Sequence, residues 1–149
     1  MNIEFTMDSK EFLNKLASAV GSEWCTKNGN VLINDMYLLA RGAAPVDTGN
    51  LENSICQEHK VIPGQGWYEG NIDVSAYAPH NGFNYGALRH DYPFNLGPKS
   101  QEKSPATSAL GGVTLNVGYG FAARTEEAAE GYFKMLENSL RLIISRYCI

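Results

Sequence analysis

The chain has 149 residues, a length that suits one domain with a single hydrophobic core. Twelve Lys and Arg residues stand against sixteen Asp and Glu residues, so the formal net charge is -4. This balance argues against a domain that grips nucleic acid with a concentrated basic face, although it allows DNA to slide past. No apolar run approaches the roughly 18 residues of a membrane helix, which predicts a protein made in a cytoplasm-like compartment.

The N-terminal third predicts an edge strand followed by two helices. Residues 2 to 6 alternate polar and apolar side chains, as a strand with one buried face does. Apolar residues then recur at helical spacing over residues 9 to 25 and again over residues 30 to 43. Asn28-Gly29-Asn30 separates the two stripes and predicts a break between the helices. Pro45 predicts the end of the second helix, because proline disfavours helix at the residue before it.

The middle of the chain predicts a short helical turn, an antiparallel sheet and a long loop. The turn covers residues 48 to 54, and a hairpin with its loop at residues 63 to 66 leads into a strand over residues 67 to 76. A further strand is expected over residues 113 to 117. Residues 81 to 112 are rich in Gly, Pro, Ser and Asn without a sustained period, which predicts an irregular arm. A loop of this length is typical of a segment that contacts a partner.

The C-terminal segment predicts a long amphipathic helix. Thr125 is expected to cap it, and an apolar face continues over residues 126 to 147. The predicted fold is therefore α+β: two N-terminal helices, an antiparallel sheet of about three to four strands with a long irregular loop, and a C-terminal helix packed on the sheet. We predict one domain over residues 1 to 149, with residues 81 to 112 as its arm.

Asp47-Thr48-Gly49 has two interpretations. Asp-Thr-Gly is the active-site signature of aspartic proteases, in which two such aspartates share a proton, and a homodimer could supply both copies. The protease loop leaves a hydrophobic strand, however, whereas the residues before Asp47 have a helical pattern and include Pro45. The favoured interpretation is that Asp47 and Thr48 cap the turn that follows the helix.

Other groups of reactive residues favour structural roles. Cys56 and His59, with His80 and His90, have poor spacing for a zinc site, and the widely spaced cysteines are expected to be reduced and buried. No phosphate-binding loop is present in the sequence. We predict no catalytic residue, metal ligand or cofactor. Aromatic residues and an arginine in the arm are candidates for contact with a neighbouring subunit: Phe83, Tyr85, Arg89, Tyr92 and Phe94.

Residues 41 to 55 carry a resemblance to a known family. They read Arg-Gly-Ala-Ala-Pro-Val-Asp-Thr-Gly-Asn-Leu-Glu-Asn-Ser-Ile and resemble the signature of tailed-phage neck proteins, known as putative tail component, tail-completion or minor capsid proteins. That signature is a helix end, Ala-Pro-Val-Asp-Thr-Gly, one residue, Leu, two residues and Ser-Ile. The matching positions are Ala44, Pro45, Val46, Asp47, Thr48, Gly49, Leu51, Ser54 and Ile55.

The resemblance implies a structural virion protein and not an enzyme. It implies a homo-oligomeric ring, sixfold or twelvefold, in the head-to-tail connector that joins the DNA-filled head to the tail. The expected partners are adjacent connector or head-closure proteins, tail terminator or tube proteins, and genomic DNA that passes through the lumen without sequence-specific binding. A tail terminator that caps the tail tube is the alternative within the same class. The expected location is the virion, after synthesis in the bacterial cytoplasm.

Overall fold

The computed structural model describes residues 1–8, 18–46, 50–62, 66–76, 95–110 and 112–147. In chain order, the elements of the N-terminal half are β1 (Asn2–Asp8), α1 (Ser18–Ala43), α2 (Asn50–Ser54), β2 (Ile55–Val61) and β3 (Trp67–Val74). The C-terminal half contains α3 (Pro98–Glu102), β4 (Ala106–Thr107), β5 (Thr114–Leu115) and α4 (Phe121–Tyr147). The predicted α+β class is confirmed.

The main sheet has three antiparallel strands in the order β1-β3-β2. Ile3 pairs with Ile72 on one side of β3, and Gln57 pairs with Ile72 on the other. Because β3 alternates strictly, its even-numbered residues from 68 to 74 are buried while the odd-numbered ones are half-buried. The predicted edge strand and the antiparallel pairing of the hairpin strands are thus confirmed, and β1 and β2 are the edges among the described strands. Residues 63 to 65 of the predicted hairpin loop lie outside the described residues.

α1 and α4 pack on the buried face of this sheet. Apolar side chains of α1, among them Leu32, Ile33 and Met36, join those of β3 in the core. From α4, the ring of Phe133 meets the ring of Phe5 edge to face, with centroids 5.3 Å apart. The prediction that the C-terminal helix packs on the sheet is therefore confirmed.

The predicted break at Asn28-Gly29-Asn30 is wrong, because α1 runs without interruption from Ser18 to Ala43. Each of these three loop-favouring residues makes a specific contact within the helix or with the sheet. Asn28 donates a hydrogen bond from Nδ2 to the Trp24 carbonyl, and Asn30 Oδ1 accepts one from the Tyr68 hydroxyl. Gly29 provides the space in which the Tyr68 ring packs. Tertiary packing thus outweighs the roughly 1 kcal/mol that glycine costs inside a helix. Residues 9 to 17 of the first predicted helix lie outside the described residues.

Three further boundaries differ from the predictions. Thr125 does not cap α4, which begins four residues earlier; its side chain is buried and donates a hydrogen bond to the Phe121 carbonyl at 2.8 Å. The strand predicted at residues 113 to 117 is β5, and it pairs with β4 in a separate two-stranded sheet. Part of the predicted irregular arm is ordered into α3 and β4, which lie within residues 95–110. Of the turn predicted at residues 48 to 54, residues 50 to 54 form α2, and residues 48 and 49 lie outside the described residues.

Candidate functional site

The corner at Ala44–Val46 leads the chain out of α1. Ala44 and Pro45 are buried, and the Ala44 amide still donates a helical hydrogen bond to the Ala40 carbonyl at 3.0 Å. Leu51 of α2 is buried beyond the corner, and the Ser54 hydroxyl donates to the Leu51 carbonyl at 2.7 Å. The described motif residues thus follow the end of α1 on one side and form α2, which leads into β2, on the other. Asp47, Thr48 and Gly49 lie outside the described residues.

Ser100 of α3 clamps this corner. Its hydroxyl accepts a hydrogen bond from the Val46 amide at 2.7 Å and donates one to the Val46 carbonyl at 2.8 Å. Only 3% of Ser100 is exposed. Because Pro45 stops the helical pattern, the peptide groups that follow need partners from elsewhere, and Ser100 supplies both for Val46. A segment predicted as a loop thus stabilises the motif.

Lys103 caps the C-terminal end of α1 beside the same corner. Its ammonium donates to the Arg41 carbonyl at 2.6 Å and to the Ala44 carbonyl at 3.0 Å. It also forms an ion pair with Glu52 at 3.4 Å. Burial lowers the pKa of Lys103, while the Glu52 carboxylate opposes that shift. A cation at this position complements the negative end of the helix dipole.

Arg41 completes what we call the corner cluster: Arg41, Glu52, Ser100 and Lys103. Its guanidinium donates to the Tyr37 hydroxyl at 3.1 Å and lies 3.8 Å from Glu52, which therefore faces two cations. Apart from Arg41 Nε, which is buried without a hydrogen-bond partner, the charged groups of the cluster contact one another, the Tyr37 hydroxyl or backbone carbonyls. The arrangement is suited to holding two chain segments together, and it contains no nucleophile paired with a base.

A second polar contact holds the β4–β5 hairpin on α1. Asp35 is buried, and its carboxylate accepts hydrogen bonds from the Ser108 hydroxyl at 2.6 Å and from the Ala109 amide at 2.8 Å. Next to it, a groove of about 370 Å³ runs between α1 and the hairpin turn, with Leu38 and Leu110 on its walls. Both carboxylate oxygens of Asp35 accept hydrogen bonds from the turn, and the groove is lined by apolar side chains together with Asn30 and Asn34.

The cysteines and histidines are dispersed. Cys25 is buried as predicted, whereas Cys56 is exposed, so the prediction of burial is wrong for that residue. Cys56 and His59 point to opposite faces of β2, because side chains alternate along a strand. Within the described residues, no group of three or more His, Cys, Asp or Glu side chains is placed to hold a metal ion. His80, His90 and Cys148 lie outside those residues.

The second face of the main sheet, here called the open face, is acidic. By alternation, it carries the side chains of β1, β2 and β3 that point away from the helices. Its carboxylates are Glu4, Glu58, Glu69 and Asp73, and its one cation in the described strands is Lys60. All of them are exposed or half-buried. This surface repels polyanions.

Asp35, Ser100 and Lys103 are not among the site residues that the sequence predicted. The sequence contained a signal for Asp35, because a charged residue beside the apolar stripe of α1 is a candidate for a buried polar contact. The structure shows that Asp35 is buried. The sequence contained no such signal for Ser100 and Lys103, because their partners at the corner are more than fifty residues away in the chain. The candidate contact residues Phe83, Tyr85, Arg89, Tyr92 and Phe94 lie outside the described residues.

Helices and sheet together define an α+β protein whose motif residues form a buttressed corner. Comparison with protein-family models, with curated proteins and with solved structures found no match. Among the described helices, none is both long and apolar enough to cross a membrane.

Proposed function

We propose that the chain is a structural subunit of the head-to-tail connector of a tailed bacteriophage, a neck or tail-completion protein that assembles into a ring. The observation that carries the proposal is the Ala44–Leu51 segment, whose sequence resembles the neck-protein signature. Its described residues serve as a helix-to-sheet corner, as that signature implies. The proposed partners are further copies of the chain, neighbouring connector and tail proteins, and genomic DNA in the lumen.

The corner cluster supports a structural role for the motif. Ser100 and Lys103 form hydrogen bonds with backbone groups of Val46, Arg41 and Ala44, so the described part of the motif is held by the α3 segment. The segment that carries Asp47 connects α1 to α2, whereas the aspartic-protease loop follows a strand. This connectivity favours the interpretation of Asp47 as a structural carboxylate over a protease-like homodimer.

The open face supports passage of DNA. Glu4, Glu69 and Asp73 lie on it, and carboxylates repel phosphates at the short distances that exist inside a ring. A lumen of this kind allows a polyanion to travel without binding, whereas a basic lumen would retain it. We propose that this face points toward the lumen.

The decisive experiment uses phage in which the gene for this chain carries a stop codon early in its coding sequence. Electron microscopy of the lysate is expected to show DNA-filled heads separated from complete tails, and the purified protein is expected to form rings. Complementation with the wild-type gene should restore joined particles. Tails of abnormal length with normal heads would instead identify a tail terminator. Intact, infectious particles made without the protein would refute both functions.

Charge reversal on the open face tests the lumen assignment separately. Glu69→Lys should leave ring assembly intact while slowing DNA ejection, because a cation would then meet the phosphates. Glu126→Lys, which makes the same charge change on the exposed side of α4, is the matched control. Equal ejection kinetics for the two variants would exclude this face from the lumen.

A further inference from the structure

The helices cover only part of the helix-side face of β2. Its residues Gln57, His59 and Val61 pair with Ile72, Gly70 and Tyr68, all of which are buried on the helix side of the sheet. The three β2 side chains share that face, yet each is exposed, and 39% of Val61 remains accessible. The layer of helices therefore stops short of this edge.

The free edge of β2 also lacks two of the features that protect natural sheet edges, a bulge and a proline. β2 pairs with β3 at all seven positions from Ile55 to Val61, so there is no bulge in the pairing. Its sequence, Ile-Cys-Gln-Glu-His-Lys-Val, contains neither proline nor glycine. Among the described residues, no strand pairs with its other side. A regular, unpaired edge of this length is a template for another strand.

The charged residues of β2 indicate which strand would pair with its free edge. We propose that β2 pairs antiparallel with β2 of a second copy, about a twofold axis through His59, to make a continuous six-stranded sheet. In this register, Glu58 lies opposite Lys60 of the partner subunit, and Lys60 lies opposite the partner's Glu58. Directly opposed residues of antiparallel strands share a face, so both ion pairs form on the open face. An isologous contact of this kind closes after two copies, so it is distinct from the heterologous contacts that close a ring.

The other free edge fits β2 less well. β1 and β2 both run antiparallel to β3, so a ring contact between β2 and β1 of a neighbour would be parallel. β1 carries Glu4 and no cation on the open face, so Glu58 would have no opposite charge there. The helix-side residues Ile3 and Phe5 are also already buried. Self-pairing of β2 matches both charges and covers the exposed side chains.

This inference does not depend on the proposed function, since it concerns the purified protein alone. Disulfide mapping tests the register in a background with Cys56→Ser and Cys148→Ser. His59→Cys should form a covalent dimer under mild oxidation, because residue 59 faces its own copy at a separation that a disulfide spans. Gln57→Cys should not cross-link with itself but should do so when mixed with Val61→Cys. Self-linking of Gln57→Cys, or no link at His59→Cys, would overturn the proposal.

Charge exchange gives a second measurement that does not rely on a new thiol. Glu58→Lys and Lys60→Glu each place like charges opposite one another in a self-pair, so each variant should associate about tenfold more weakly than the wild type. A mixture of the two restores opposite charges at both positions and should form a heterodimer, detectable by native mass spectrometry. Glu126→Lys is the control for net charge. Wild-type association in both single variants, or no heterodimer in the mixture, would contradict pairing through β2.

Discussion

The ring of Tyr68 lies against the backbone of Gly29, so that a Cβ built on residue 29 would stand 2.4 Å from the nearest ring carbon. Tyr68 is fully buried, and its hydroxyl donates a hydrogen bond to Asn30 at 2.9 Å. This contact joins α1 to the central strand β3. The packing of helix on sheet therefore depends on the absence of a side chain at residue 29.

Gly29→Ala is expected to destabilise the protein. The added methyl group would overlap the Tyr68 ring, which is enclosed and has no room to retreat, so α1 and β3 would have to separate. Overpacking of this kind costs about 1–3 kcal/mol, more than the gain of about 1 kcal/mol from replacing glycine in a helix. Urea denaturation followed by circular dichroism would measure the change in the free energy of unfolding.

Gly131→Ala is the matched control for that substitution. Gly131 lies within α4, and nothing stands within 4 Å of a Cβ placed there. Only the helix propensity changes, so the free energy of unfolding should rise by about 0.5–1 kcal/mol. Stabilisation by Gly29→Ala of the same size as by Gly131→Ala would show that the Tyr68 contact does not limit residue 29.

Tyr68 should make the stability of the protein sensitive to alkaline pH. Burial raises the pKa of Tyr68 from 10.0 to about 12. As pH rises above 10, the unfolded chain loses this proton while the folded chain keeps it, so the free energy of unfolding falls between pH 10 and 12. Below pH 10 the contribution is fully present. Tyr68→Phe should decline less steeply over that window in denaturant titrations, and parallel curves for variant and wild type would contradict the assignment.

Lys103→Met is expected to loosen the corner cluster. Methionine retains the apolar stem of the side chain but leaves the carbonyls of Arg41 and Ala44 without their donor. The loss should be about 1–3 kcal/mol, because partly buried acceptors are left unpaired. Lys134→Met, an exposed position on α4, should change the free energy of unfolding by less than about 0.5 kcal/mol. Equal effects of the two substitutions in thermal denaturation would argue against a capping role for Lys103.

Asp35→Asn is expected to release the β4–β5 hairpin from α1. The carboxylate accepts two hydrogen bonds, and an amide would turn its own N–H groups toward one of those donors. Hydrogen exchange over residues 106 to 115 should accelerate, while exchange in β3 stays close to that of the wild type. Glu23→Gln removes a charge from an exposed position of the same helix and is the control. Unchanged exchange in the hairpin would show that Asp35 does not hold it.

Some secondary-structure elements could be predicted from the pattern of neighbouring residues. The alternation at residues 67 to 76 predicted β3 with its buried face, since a strand between helices and solvent imposes a period of two on its own residues. The long apolar face at the C-terminus predicted α4, and Pro45 predicted the end of α1 at Ala43. Each of these patterns lies within the element that it predicts or within two residues of its end.

Other features depended on distant partners. Asn28-Gly29-Asn30 has the composition of a loop, yet it lies within α1, where Gly29 and Asn30 contact Tyr68, a residue nearly forty positions later in the chain. Threonine is a common capping residue, yet Thr125 lies inside α4 and donates a hydrogen bond to the Phe121 carbonyl. Ser100 reaches Val46 across a sequence separation of 54 residues, which no local pattern encodes.

By itself, the sequence determined the α+β class, the order of the main elements and the corner at Ala44–Val46, because periodicity, proline and capping residues act over a few neighbouring positions. Only the tertiary structure decided that α1 is continuous, that Ser100 and Lys103 hold the corner, and that the β2 side chains after Ile55 are exposed. The physical reason is that close packing and buried hydrogen bonds join residues far apart in the chain. The energies of those contacts outweigh local propensities of about 1 kcal/mol.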